Sequence, residues 1–202
     1  MGLSVSDHNA IYLSTFDGTF RWKIKEPRPG SVQRVNKNGV TVNEMVFDQL
    51  SGKLVKIAYE EDKEYGNSWV LTIVDDKTYR LNLSVNSSST FYFLNRLINA
   101  DLDLKAPMLF KIFSEVENDK KKQVILISQG GKYIQGVYTK DNQQDLPQME
   151  QIMFKGKLEW DSTKRDIFMR DLIEKYVVPE LPASPGTAVP AASARASQTA
   201  KQ

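Results

Sequence analysis

The chain has no cysteine, which excludes disulfides, thiolate metal sites and cysteine nucleophiles, and is compatible with a reducing compartment. It has a single histidine, His8, so a zinc site or a nucleophile activated by imidazole would rest on one residue in a polar amino-terminal stretch. Long hydrophobic runs are missing too. "VILI" is far too short to span a bilayer, and the amino terminus lacks the basic-then-apolar order of a signal peptide, so the chain reads as soluble and cytoplasmic, with no membrane partner. Charge of one sign is also scarce. The formal +2 comes from 27 basic against 25 acidic residues, and Arg195 and Lys201 near the carboxyl end supply that excess. A polyanion would have to be met by local clustering, because the body is formally neutral.

What is present is the balance of a folded protein, with 41% hydrophobic and 26% charged residues over 202 positions. From Leu181 onward, "LPASPGTAVPAASARASQTAKQ" has almost nothing large to bury and predicts a disordered tail, residues 181–202. Asp17-Gly18 between "IYLSTF" and "TFRWKI" predicts a hairpin, because the two residues suit the positive φ angles of a tight type I′ turn. In "FRWKIK", Phe20, Trp22 and Ile24 fall on one side of a strand and Arg21, Lys23 and Lys25 on the other. This ribbon fits a polyanion with stackable bases, and it equally fits an edge strand protected by lysine. "EPRPGSVQRVNKNG" (26–39) has no apolar period and is read as a connection.

The middle of the chain alternates with period two in "KLVKIAY", "SWVLTIV" and "TYRLNLSV", predicting three strands. "NSSSTFYFLNRLINADL" then offers serine caps and the helical spacing of Phe91, Leu94, Leu97 and Ile98. Two more strands, "PMLFKIFSEV" and "QVILIS", flank the polar loop "ENDKKK", and "KYIQGVY" is a further strand candidate. Three strands, a helix and two strands is the element order of the OB-fold, a five-stranded Greek-key barrel with one capping helix. "FKGKLEW" suggests an outer strand, and "STKRDIFMRDLIEKYV" an amphipathic helix with Phe168, Leu172, Ile173 and Tyr176 on its apolar side. The organisation expected is an N-terminal hairpin and basic connection (1–38), a mostly β OB-fold domain with a C-terminal strand and helix (39–180), and the tail.

The stretches "VNKNGVTVNEMVFDQLSGKLVKI", "EYGNSWVLTIVDD" leading into "YRLNLSV", "FLNRLINADL" and "YTKDNQQDLPQMEQIMFKGKLEWD" cover much of Val35 to Asp161. In texture and order they resemble a group of bacteriophage single-stranded DNA-binding proteins with an OB-fold. The resemblance implies sequence-tolerant coating of single-stranded DNA in phage replication, recombination or repair, within the host cytoplasm, without cofactors or chemistry. Replication or recombination proteins would be further partners. Many such proteins end in an acidic recruiting tail. The tail here is uncharged apart from Arg195 and Lys201, so that mechanism does not transfer.

OB-fold ligands cross the second and third strands, between the first-to-second and fourth-to-fifth loops. On that geometry Arg80 and Asn82 on the third strand, with Thr72 on the second, face the ligand, and Lys120, Lys121 and Lys122 sit on the far loop. In the near loop, "EEDKEYGNS", Glu60, Glu61, Asp62 and Glu64 would repel phosphate, leaving Tyr65 as the residue able to stack. Trp69 reads as core. Arg21 to Lys37 carries six basic residues against Glu26, the largest basic concentration in the chain. Arg21, Lys23 and Lys25 are therefore assigned to the binding surface, with Trp22 or Phe20 as a stacking ring. The assignment requires that these scattered cations gather beside one trough.

Enzyme readings find little support. The paired acids Asp75-Asp76 and Asp101 with Asp103 are ordinary turn and capping residues, and no phosphate loop, nucleophile elbow or metal-ligand spacing occurs. The rival expectations are a β-rich interaction or structural module of a phage, with its lysines serving solubility, and an RNA-binding OB protein.

Overall fold

The computed structural model describes residues 10–36, 38–64, 66–117 and 119–182. Strands β1 (Ile11–Phe16), β2 (Thr19–Ile24), β3 (Val32–Val35) and β4 (Thr41–Phe47) lead into the long β5 (Gln49–Glu60), followed by β6 (Ser68–Val74) and β7 (Thr78–Ser84). Helix α1 (Ser88–Leu97) precedes the hairpin β8 (Met108–Glu117) and β9 (Lys120–Gln129) and the short β10 (Lys132–Tyr133). A separate hairpin, β11 (Glu150–Phe154) and β12 (Lys157–Asp161), then leads to α2 (Thr163–Leu172), which runs on through a π-helical turn to Val177. The protein is mostly β. Among the described residues no helix is long and apolar enough to cross a membrane.

Ten strands share one mixed sheet in the order β10-β9-β8-β5-β6-β7-β1-β2-β4-β3. The pair β1–β7 is parallel, Tyr12 standing beside Arg80 and Leu13 beside Leu81. β5 serves two partners in turn, pairing Gln49–Gly52 with β8 and Lys53–Glu60 with β6. Gly52 makes this change of partner possible: its φ is +147°, and a Cβ there would lie 2.8 Å from both the Ile73 side chain and the Val74 carbonyl.

Alternation along these strands turns Leu54, Leu71, Ile73, Leu81, Leu83, Phe110, Ile112, Ile125 and Ile127 into one core, into which α1 sends Phe93, Leu94 and Leu97. Burial of each such side chain contributes on the order of 1.5–3 kcal/mol. Met169, Ile173 and Val177 close it from α2 and the turn that follows. Phe168 and Leu172 pack on the core as expected, whereas Tyr176 is exposed and Met169 and Val177 take the inward positions. The π-helical turn accounts for part of this, since its wider winding shifts the facing of residues after Leu172.

The predicted order of three strands, helix and two strands is present in β5 to β9, but among the described residues no strand pairing closes these strands into a ring. The edge of β7 that would complete a cylinder is taken by β1 instead. The sheet nevertheless curls, because the turn joining β1 and β2 reaches β8 across the three intervening strands β5, β6 and β7. Asp17 and Gly18 have φ of 53° and 72°, as the type I′ turn requires. A Cβ on Gly18 would lie 2.3 Å from the Ser114 nitrogen, and the Gly18 N–H donates to Gln123 Oε1 at 3.4 Å.

Other expectations are revised. The segment 26–39 is not only a connection: β3 lies within it, paired with β4 through Arg34 beside Val42 and a Gln33–Asn43 side-chain bond of 3.0 Å. The boundary drawn at 38/39 therefore falls between two paired strands. Lys120, Lys121 and Lys122 belong to β9 rather than to a loop, because they pair with Glu117, Val116 and Glu115. "KYIQGVY" is a strand only at Lys132–Tyr133. Beyond it the buried Asn95 of α1 captures the backbone, donating to the Tyr138 carbonyl and accepting its N–H, both at 2.8 Å. "FKGKLEW" forms part of the separate β11–β12 hairpin. Of the expected tail, residues 183–202 lie outside the described residues, as does His8; Leu181 packs on the core.

Candidate nucleic-acid interface

Pleating gives β1 two faces. Ile11 and Leu13 point to the core, and Tyr12, Ser14 and Phe16 point away from it. On β2 the outward set is Thr19, Arg21 and Lys23, with Ser14 directly opposite Arg21. On β7 it is Arg80, Asn82 and Ser84, and across from it on β6 stand Thr72, opposite Arg80, and Val70, opposite Asn82. The parallel pairing of β1 with β7 therefore sets two basic strands on either side of Tyr12. Between them runs a trough of about 520 Å³, lined by Tyr12, Arg21, Lys23, Arg80 and Asn82, with Glu60 and Val70 also at its wall.

Two aromatic rings stand on this face. Tyr12 is 60% and Phe16 49% exposed, a solvent share that burial would ordinarily remove. Each lies under guanidinium: Arg80 at 5.5 Å from the Tyr12 ring centre, and Arg21 and Arg34 at 4.7 and 4.9 Å from that of Phe16.

Glu44 on β4 organises the second of these stacks. Only 3% exposed, it accepts Arg21 Nη1 at 2.8 Å and both Nε and Nη2 of Arg34 at 2.9 and 2.8 Å. Burial alone would raise the Glu44 carboxyl, but the hydrogen bonds and charges of Arg34 and Arg21 outweigh it and hold the group below the usual carboxylate range. Arg34 is raised in turn, chiefly by its bond to Glu44. At the other end Arg80 meets Glu60 at 3.3 Å, a half-exposed pair of small energetic weight. Among these groups, Arg21, Lys23, Arg34 and Arg80 against Glu44 and Glu60 leave a surplus of two positive charges.

The structure thus brings Arg21, Lys23, Arg80 and Asn82 together, with Thr72 beside Arg80. It does not bring the others there. Trp22 faces the core side of β2, packed against the buried cluster with Arg28 5.7 Å above its ring, and Phe20 is fully buried. Lys25 lies past the end of β2, its carbonyl accepting from Asn43 at 3.4 Å. Tyr65 lies outside the described residues. Lys120 is exposed at the start of β9, Lys121 is ion-paired with Asp17, and Lys122 with Glu117. Asp17 follows Phe16, so Lys121 stands at the far end of the β1 face without lining the trough.

Trp69 is buried as expected, against Tyr59 at 5.3 Å. The acidic near loop is partly neutralised, Glu60 by Arg80 and Glu61 by Arg170 at 4.0 Å. Asp75 and Asp103 serve turns, accepting from Ser51 Oγ and the Lys105 N–H.

Sequence reasoning missed Tyr12, Phe16, Arg34 and Glu44. The signal for the first two was present, since "IYLSTF" alternates as strictly as "FRWKIK" and puts both rings opposite its apolar positions. Glu44 could be found only through the pairing of β4 with both β2 and β3. Comparison of the chain with protein-family models, curated proteins and solved structures returns no match.

Proposed function

We propose that the chain binds single-stranded DNA without sequence preference, in phage DNA replication, recombination or repair, and carries out no chemistry on it. The observation that carries this reading is the trough between β7 and β2, with exposed rings on β1 lying beneath guanidinium groups. Lys23 and Arg80 are placed to meet phosphates, and Tyr12 and Phe16 to stack on bases, each ring contributing about 1–3 kcal/mol.

Sequence tolerance follows from the same contacts. The Arg21 and Arg34 guanidiniums are committed to Glu44 and so are not offered as bidentate readers of base edges. A π-face is common to all bases, whereas an edge is particular to one.

The finer fold proposed is an OB-type unit of β5 to β9 and α1, completed at the edge of β7 by the N-terminal hairpin rather than by its own fifth strand. The trough then borders the third strand of that unit and touches the second at Val70, beside the strands on which OB ligands lie. Oligothymidine titration at two salt concentrations tests the function. Neutralisation of about four phosphates gives a log-log salt slope near −3, at ~0.7 per contact for single strands. Absence of saturable, salt-sensitive binding at low salt overturns the proposal. Competition between matched DNA and RNA strands separates the two polymers.

A further inference from the structure

The hairpin β11–β12 is exposed at every position before Asp161, and Trp160 on β12 is 62% exposed. Water-facing tryptophan on a two-stranded ribbon gains little for folding, because such a ribbon buries almost nothing. Trp160 borders a cleft of about 370 Å³ between this hairpin, α2 and the start of α1. Across the cleft, Tyr92 is 49% exposed and meets Phe91 edge to face at 5.5 Å, while Arg165 lies 5.3 Å from the Phe91 ring centre. As in the trough, exposed rings and a guanidinium share one place, here with Arg165 stacked on the half-buried Phe91.

The two places are contiguous along the chain. The outward residues of β7 run Arg80, Asn82, Ser84, and Asn86, two residues on, already lines the cleft together with Ser88. Asn82 and Asn86 are four residues apart, at most about 14 Å of chain. The cleft's acid, Asp166, is engaged by the Ser162 hydroxyl at 2.8 Å, whereas among the described residues Arg165 donates its Nε to the Pro147 carbonyl at 3.1 Å and lays its guanidinium against Phe91.

We infer that the cleft is a second subsite for single-stranded nucleic acid, continuing the path from the trough over the end of β7, with Trp160 and Tyr92 as stacking platforms and Arg165 facing the backbone. This rests on the trough being the primary site, and it predicts that contact with the hairpin begins only when the strand is long enough to leave the trough.

The test compares oligothymidines of about four and about sixteen nucleotides, a span that brackets OB-fold site sizes, on the full chain, wild type and Trp160→Ala. The substitution is expected to weaken the longer strand by roughly 5- to 100-fold and leave the shorter one unchanged. Tyr92→Ala, on the outer side of α1, is expected to repeat this, and the longer strand alone is expected to quench an emission component that Trp160→Phe removes. Equal affinities of wild type and Trp160→Ala for both lengths overturn the inference while leaving the trough intact. So does a Trp160→Ala protein that changes sedimentation mass but not DNA affinity, since the hairpin would then be a contact between copies. Failure of the wild-type chain to bind either length removes the primary reading itself.

Discussion

Arg34 grips Glu44 with two nitrogens, Nε at 2.9 Å and Nη2 at 2.8 Å, and the same guanidinium lies 4.9 Å from the centre of the Phe16 ring. One arginine thereby ties the outermost strand of the sheet, its neighbour β4 and the aromatic face of β1. Glu44→Gln would leave two guanidiniums beside a neutral amide. Loss of one partner from a buried ion pair costs about 3–5 kcal/mol, and the lower end is expected here because Arg21 and Arg34 keep 13% and 31% of their side-chain exposure. Chemical denaturation is expected to show this loss, while oligothymidine binding at low salt becomes no weaker and more salt-sensitive. A variant as stable as wild type would show that the triad is ornamental to folding.

The same carboxylate sets an acid dependence. Its folded value is held below the unfolded one, so its stabilisation is full above the ordinary carboxylate range and is lost as pH falls through the depressed value. Denaturation midpoints followed from neutral pH to about pH 3 are expected to fall in the wild type, with a shallower fall in Glu44→Gln. Parallel curves would assign the acid sensitivity to other groups.

Gly18→Ala is expected to be among the most damaging single-methyl additions. The new Cβ would sit 2.3 Å from the Ser114 nitrogen and 2.6 Å from the Phe113 carbonyl carbon, both backbone atoms of a paired strand, and φ is +72°. Overpacking and the left-handed backbone together predict a loss of at least about 2 kcal/mol. Ser114→Ala should not rescue it, because the nearest collision is with main chain; rescue would place the strain in the serine hydroxyl.

Tyr12→Ala is expected to weaken oligothymidine binding by about 1–3 kcal/mol with folding preserved, since the ring is solvent-facing. Trp22→Phe should leave affinity within about twofold of wild type, since the ring faces the core. The reverse ranking would move the stacking surface to the opposite side of β2.

Lys23→Ala and Arg80→Ala should each flatten the salt slope by about 0.7. Lys121 and Lys122 do not line the trough, so alanine at both should flatten it by less than either trough substitution. Equal effects from the two pairs would extend the phosphate path to the β8–β9 end.

Much of this arrangement is legible in the chain itself. Strict alternation marked β1, β2, β6 and β7, and Asp17-Gly18 marked their first turn, because period two and positive φ are local properties. The β3–β4 pair was not legible, because "SVQRV" carries no apolar period. Its pairing depends on Glu44 and Asn43, side chains that recognise Arg34 and Gln33 only once the strands lie side by side. The basic face was half visible. Arg21, Lys23, Arg80 and Asn82 were named from their strands, but Trp22 drew attention by its chemistry, and its parity with Phe20 and Ile24 decides against it. The facing of Tyr12 is legible in "IYLSTF", but its place beside Arg80 arises from the parallel union of β1 and β7, which is not local in sequence.

That union has a further consequence. β1 covers a flank of β7 that would otherwise present bare amides and carbonyls to any passing peptide. Cutting the chain back to residue 39 would strip this cover from Tyr79 to Leu81. The shortened polypeptide should cluster in solution more strongly than the full chain does.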